Sequence, residues 1–285
     1  MIQKILFPVD FSRPCTAMAA YVKRAASIFG AKATLLYVLQ PSASGFELLS
    51  RPMREVEADL IQVAEQKLGS YLESELPVKD FPRLLLIGDP AARIAEAVSG
   101  QGFDLIVMPT YSGVFRRMLL GSTTAKTLND VDCPVLTTQH VETIPPRPLE
   151  HREWVCALGL QPDSERVLRY ANEMAKAVHA NLTLVHAIPA PKHGLPVQLD
   201  LEERLESAEK EAAKRRMAEL QQAVGSNARV VVAMGPVRDV LVEAVRRLKA
   251  DALIIGRSPQ PGSKGRLRDL TYAMVRDAPC PVLST

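Results

Sequence analysis

The chain has 285 residues, 47% of them hydrophobic and 24% charged, with a formal net charge of +3. That length is comfortable for two cores rather than one, and so slight a positive balance gives no argument for nucleic acid as a partner. No apolar run approaches the roughly 20 residues that span a bilayer, the start "MIQKILFPVDFS" lacks the apolar core and cleavage site of a signal peptide, and the four cysteines form no C-x-x-C pair, so a cytoplasmic protein without membrane, zinc or dithiol chemistry is expected.

In chain order, "IQKILFPV" reads as a short strand. The stretch from Arg13 to Gly30 places Met18, Val22, Ala25, Ala26 and Phe29 at helical spacing, and Gly30 suits the helix end. "ATLLYVL" is a buried strand. From Pro52 to Leu76 a helix is expected, with Val56, Leu60, Val63, Leu68 and Leu72 on one face. "RLLLI" is a strand, followed by a helix from Pro90 to Val98 with proline in its first turn. "DLIVM" is a strand. A helix from Gly121 to Asn129 has Ser122 or Thr123 available to cap it, and "PVLTTQ" closes the series. Near-continuous apolar strands between amphipathic helices predict a doubly wound parallel sheet covered on both faces.

The series then repeats. "ILFPVDFSRP" from Ile5 pairs with "WVCALGLQPD" from Trp154, and "AKATLLYVLQP" with "HANLTLVHAIP". "DPAARIAEAV" pairs with "GPVRDVLVEAV", "GFDLIVMP" with "KADALIIG" and "DCPVLTT" with "PCPVLST". Between the halves lies "TIPPRPLE", whose three prolines continue neither helix nor sheet. The expected organisation is a first domain over 1–142, a linker over 143–150 and a second copy over 151–285.

Parallel sheets of this kind bind ligands at the carboxyl ends of their strands, where the winding reverses. Asp10, Val38 and the stretch "MPTYSGVFRRMLLGSTT" all lie at such ends. With "LLYVLQP", "GDPAARIAEAV", "FDLIVMPTYSG", "LLGSTTAKTL" and "DCPVLTT" in order, and most of them twice, the sequence resembles the universal stress protein family in its tandem form. The resemblance implies two five-stranded α/β domains of the adenine nucleotide alpha hydrolase-like kind, paired antiparallel through their last strands. It implies a non-enzymatic stress-response role with a regulatory protein partner, homodimer formation as a further mode of assembly, and, in one subset, a bound adenine nucleotide, AMP or ATP.

That subset carries G-x-x-G, nine residues, then G-[ST]; the glycines admit the phosphates and the helix start holds them. Here Pro109 and Ser112 stand at the first two glycines, with Gly113 following, and eight residues lead to Gly121-Ser122. The nucleotide-binding residues implied for the first half are Val9, Asp10, Val38, Pro109, Gly113, Gly121, Ser122 and Thr123. In the second half Gly256 is kept, but Pro259, Arg268-Asp269 and Gly159 replace the second glycine, the G-[ST] pair and Asp10. A weak site is therefore expected, in the first half rather than the second, with a monophosphate fitting better than a triphosphate.

Each residue also has a plainer reading. Asp10 forms a turn as readily as it meets a ribose, and Ser122 and Thr123 serve as N-caps without a ligand. Lys264, Arg266 and Arg268 either clasp an anion or are solvated. Arg116-Arg117 and Arg246-Arg247 read as solvated faces. Cys133 and Cys280, each before proline, suggest packing. His186, at a strand end, either lines a pocket or is structural. The five histidines show no metal-ligand spacing. The competing class is an ATP-consuming ligase or nucleotidyltransferase, which needs an S-G-G-x-D-S-like or H-x-G-H-like turn after the first strand. "PVDFSRP" and "LGLQPDS" are neither, so binding and regulation is the expected function.

Overall fold

Ile5, Leu6 and Phe7 are completely buried, as a strand covered on both faces requires, and they form the middle of a parallel sheet. The structure, a computed structural model, describes residues 2–40, 53–110, 120–138, 152–189, 199–257 and 269–285. The chain divides into two compact units, the first running to Pro148 and the second beginning at Leu149.

The first unit contains β1 (Lys4–Val9), α1 (Arg13–Ala17), α2 (Ala19–Phe29), β2 (Lys32–Leu39) and α3 (Met53–Ser70). It continues through β3 (Arg83–Ile87), α4 (Pro90–Gln101), β4 (Leu105–Pro109), α5 (Ser122–Asp130) and β5 (Val135–Thr138). Its strand order is β3-β2-β1-β4-β5, with parallel pairing throughout. The second unit repeats this with β6 (Glu153–Ala157), α6 (Ser164–Ala177), β7 (Asn181–Ile188), α7 (Leu199–Val224) and β8 (Arg229–Met234). It ends with α8 (Val237–Arg247), β9 (Ala252–Ile255), α9 (Asp269–Asp277) and β10 (Val282–Ser284), in the order β8-β7-β6-β9-β10. In each unit the first strand lies between the second and the fourth, so the winding reverses beside it and a crevice opens at the carboxyl ends. Among the described residues no helix is long and apolar enough to cross a membrane.

Three expectations are corrected. The helix expected over 13–30 is two helices meeting at Met18, whose N–H is shared between the Pro14 and Cys15 carbonyls at 3.1 Å each. The helix expected over 52–76 ends at Ser70, and Leu72 adopts a left-handed φ of 56°. Its apolar face is also only half buried: Leu68 and Leu72 are inside, but Leu60 is 39% and Val63 60% exposed. An 18-residue helix is about 27 Å long and the five-residue β3 beneath it about 17 Å, so its first turns overhang the sheet. Finally, neither Ser122 nor Thr123 caps α5. The N-cap is Gly121, and no side chain caps the helix there.

The helix ends show what the repeat tolerates. Gly30 and Gly102 close α2 and α4 with φ of 59° and 65°. In the second unit His179 and Lys249 take these places with φ of 56° and 51°. A side chain in this region costs about 1–2 kcal/mol, whereas glycine is at ease. Lys249→Gly is therefore expected to raise stability by about 1 kcal/mol, read as a higher urea midpoint at unchanged slope.

Candidate nucleotide site

Val9 is buried at the end of β1, and Asp10 emerges exposed from it. The Asp10 Oδ1 accepts the Ser12 N–H at 3.0 Å, an Asx turn. The turn places Phe11 at φ 62°, and Leu160 holds the same place in the second unit at φ 55°. Aromatic packing offsets the cost at Phe11: its ring lies 4.5 Å from Tyr37 and meets Tyr71 edge-on at 5.0 Å, with the Lys67 ammonium 4.2 Å from its centroid. The turn-forming role of Asp10 is thus present, and its carboxylate stands at the rim of the crevice. Val38 is 9% exposed near the end of β2. Beside Asp10 the Cys15 thiol is pushed up to about 12, by burial first and then by the Asp10 charge. Burial alone pushes Cys156 up to about 12. Neither thiol is ionised near neutrality, so neither is a ready nucleophile.

Across the crevice, Pro109 is the last residue of β4 and is buried. The following Thr110 donates both its N–H and its hydroxyl to the Thr138 carbonyl, each at 3.0 Å. The Thr110 carbonyl in turn accepts the Gly121 N–H at 3.0 Å. Gly121 is thereby held against the end of β4, and its amide is already used. The Thr124 hydroxyl donates to the Pro109 carbonyl at 3.2 Å and fastens the first turn of α5 to the strand. What remains at the helix start is the pair Ser122 and Thr123, with their amides in the first turn of a nine-residue helix that no side chain caps. Those amides and the positive end of the dipole fit an anion. The structure therefore gathers Val9, Asp10, Val38, Pro109, Gly121, Ser122 and Thr123 at one end of the sheet. Gly113, Arg116 and Arg117, like the linker 143–150 and Pro259, Lys264, Arg266 and Arg268, lie outside the described residues.

The second unit has a cavity of about 500 Å³ at the equivalent strand ends, lined by Leu158, Gly159, Asp163, His186, Gly256 and Thr271 among others. His186 does line a pocket, and its Nδ1 lies 2.7 Å from the Leu158 carbonyl oxygen. Gly256 has a packing reason. A Cβ there would fall 2.8 Å from Val167 Cγ2 on α6 and 3.4 Å from Asp163 Oδ2. The Asp163 carboxylate consequently sits where a phosphate would approach the Gly256 backbone. Sequence reasoning did not single it out, although pairing "ILFPVDFSRP" with "WVCALGLQPD" sets it opposite Pro14. Arg246 and Arg247 are exposed in the last turn of α8, as expected.

A repeated α/β unit with its winding reversal beside the first strand, and in the first unit a glycine-led helix start after the fourth strand, defines the class of fold. The family model of the universal stress protein family matches residues 1–139 and again 152–284. The chain belongs to the universal stress protein family. It is 30% identical over 139 residues to a universal stress protein of Thermus aquaticus, covering 48% of this chain and 98% of that one. It is 28% identical over 141 residues to universal stress protein A homolog 2 of Coxiella burnetii, covering 47% of this chain and 94% of the relative. The crystal structure of a universal stress protein from Archaeoglobus fulgidus aligns with 99% of this chain and 97% of its own, at 20% identity and a TM-score of 0.72. That likeness shows the two-unit fold over its full length.

Proposed function

We propose that the protein is a non-enzymatic regulator whose first unit holds an adenine nucleotide weakly, AMP in preference to ATP, and whose occupancy is read by a protein partner. The observation that carries this reading is the uncapped start of α5 at Gly121-Ser122-Thr123, which follows β4, the neighbour of the strand that ends before Asp10. Phosphate at Ser122 and Thr123 and ribose at Asp10 are the assigned contacts. Pro109 offers no N–H and Gly121 has already spent its own, so the donors suffice for one phosphate better than for three. In the second unit the Asp163 carboxylate beside Gly256 opposes phosphate, which supports the same asymmetry. The side chains at the first crevice are engaged in local structure, Asp10 with the Ser12 amide and Thr124 with the Pro109 carbonyl. That favours binding over turnover.

The test is calorimetric titration with AMP and ATP. Gly121→Asp is the informative variant. A Cβ at Gly121 meets only ordinary contacts, the Thr110 carbonyl oxygen at 3.4 Å and Thr124 Oγ1 at 3.7 Å. An aspartate at this position caps α5, so the fold is expected to gain about 0.3 kcal/mol over the glycine while AMP binding is lost. Gly159→Glu, where a Cβ meets nothing nearer than Gln161 Cγ at 3.5 Å, should leave it intact. Loss in the second variant and survival in the first would reverse the assignment. Multiple turnover of ATP, abolished by one substitution in the crevice, would overturn the non-enzymatic role.

A further inference from the structure

At the opposite end of the second unit, away from the carboxyl ends of its strands, there is a second cleft of about 490 Å³. It lies at the amino ends of β6, β7 and β8 and beside the last turns of α6. Its polar lining includes Glu153, Asn172, Lys176, Asn181, Asn227 and Arg229. The Asn181 side-chain amide donates to Glu153 Oε1 at 2.8 Å, so the one carboxylate is partly satisfied from within. Among the described residues the side chains of Lys176 and Arg229 make no hydrogen bond or ion pair, although several other helix cations, Arg169 on the same α6 among them, are paired. The cleft therefore presents two unspent cations against one carboxylate.

Arg83 begins β3 and Arg229 begins β8, but the two are one residue apart in register: Arg83 pairs with Leu35 on β2, whereas the counterpart of Leu35 on β7, Leu184, pairs with Val230. Arg83 is enclosed, its side chain only 9% exposed, by the connection 71–82. Its guanidinium donates to the carbonyls of Leu68, Tyr71, Leu76 and Phe81. In the second unit α7 runs on to Val224 and the connection shrinks to 225–228. Beside this short connection Arg229 stands exposed and lines the cleft.

We propose that this cleft is a binding site for a small hydroxylated organic anion, held through its oxyanion head by Arg229 and Lys176. Guanidinium binds a phosphate or carboxylate in a two-pronged fashion and ammonium adds a point charge. Asn172 and Asn227 supply amide groups that no described residue uses, and the remaining Glu153 oxygen accepts a ligand hydroxyl. The site is separate from the crevice and stands independently of the nucleotide reading.

The experiment titrates the full chain with inorganic phosphate, glycerol 3-phosphate and malate, following backbone amide shifts by NMR and heats by calorimetry. Saturable binding is expected, with the shifting amides centred on Lys176, Asn181, Asn227 and Arg229. Arg229→Gln and Lys176→Gln should each weaken it about tenfold or more, and the double variant should abolish it. Both side chains are exposed, so the melting temperature serves as a control and should not move. Saturating AMP should leave the affinity unchanged. Binding of both phosphates without malate identifies a phosphate head, and binding of malate alone a carboxylate head. No saturable binding of any of the three, or binding that survives the double variant, would overturn the proposal.

Discussion

Arg83→Met is expected to cost the first unit about 3–5 kcal/mol, because several part-buried carbonyls lose their donor at about 1–3 kcal/mol for each that water cannot reach. The side chain is 9% exposed, with Glu73 at 3.8 Å, and burial holds its pKa below the usual guanidinium range. Its net worth lies less in the charge than in the carbonyls it serves. The bonds to Leu68, Tyr71 and Leu76 run at 3.2, 2.9 and 2.7 Å, and that to Phe81 completes the set. Methionine fills much of the volume but leaves those acceptors dry, at about 1–3 kcal/mol for each that water cannot reach. The segment carrying Leu72 and Leu76, both buried, then loses its anchor. Arg229→Met, at the exposed first residue of β8 and without partners among the described residues, is expected to stay within about 0.5 kcal/mol. Urea denaturation separates the two, because the chain's one tryptophan, Trp154, lies in the second unit and reports it alone. Far-ultraviolet circular dichroism follows both units. A loss below about 1 kcal/mol on Arg83→Met would mean that the connection 71–82 holds itself.

The contrast between these two arginines also marks what sequence can and cannot carry. "RLLLI" reads as a strand, and "RVVVAM" forms one, because apolar runs of that length between helical patterns have few other solutions. The alternation of strand and helix, the repeat and the parallel sheet followed from the same local signals, and the structure has them. That one arginine is wrapped in backbone and the other bare goes with a one-residue difference in strand register and with the length of the preceding connection, neither of which the local pattern carries. The overhang of α3 was illegible for the same reason: Leu60 and Val63 have the right spacing, but spacing does not say where the strand beneath stops. At the crevice, the motif "GSTT" located the helix start correctly. It did not say which hydroxyl would turn inward. Ser122, Thr123 and Thr124 are equivalent as letters, and only the nearness of the Pro109 carbonyl selects Thr124. Gly256 was legible as a glycine of the motif, yet its immediate reason is Val167 on another element.

Gly88→Ala should be the most damaging single methyl added to the first unit's loops, at about 2–3 kcal/mol. Gly88 and its counterpart Gly235 have φ of 140° and 142°, a conformation that L side chains rarely adopt. The conformation is imposed from both sides. The Gly88 N–H donates to the Leu39 carbonyl at 3.0 Å and the Gly235 N–H to that of Ile188 at 2.9 Å, each extending the sheet by one bond beyond its strand. Immediately afterwards the chain must enter a helix. In the first unit the Asp89 side chain caps α4 by accepting the Ala92 N–H at 3.1 Å, with the Lys126 ammonium at 3.3 Å. Strain of this kind costs about 1–3 kcal/mol. At Gly88 a Cβ would also lie 2.8 Å from Arg93 Nε. That nitrogen donates to the Ile87 carbonyl at 2.7 Å, so relieving the clash gives up a hydrogen bond worth about 1 kcal/mol. At Gly235 the nearest atom is Val240 Cγ2 at 3.3 Å, a tight contact that breaks no bond. The two contributions at Gly88 separate in a double-mutant cycle. In an Arg93→Ala background the cost of Gly88→Ala should fall by about 1 kcal/mol and leave the backbone strain alone. Gly30→Ala, with a left-handed φ of 59° and nothing within 4 Å of its Cβ, provides the reference for strain without contact. If Gly88→Ala costs no more than Gly30→Ala in urea denaturation, the sheet bond to Leu39 does not fix this turn and the account given for both repeats fails.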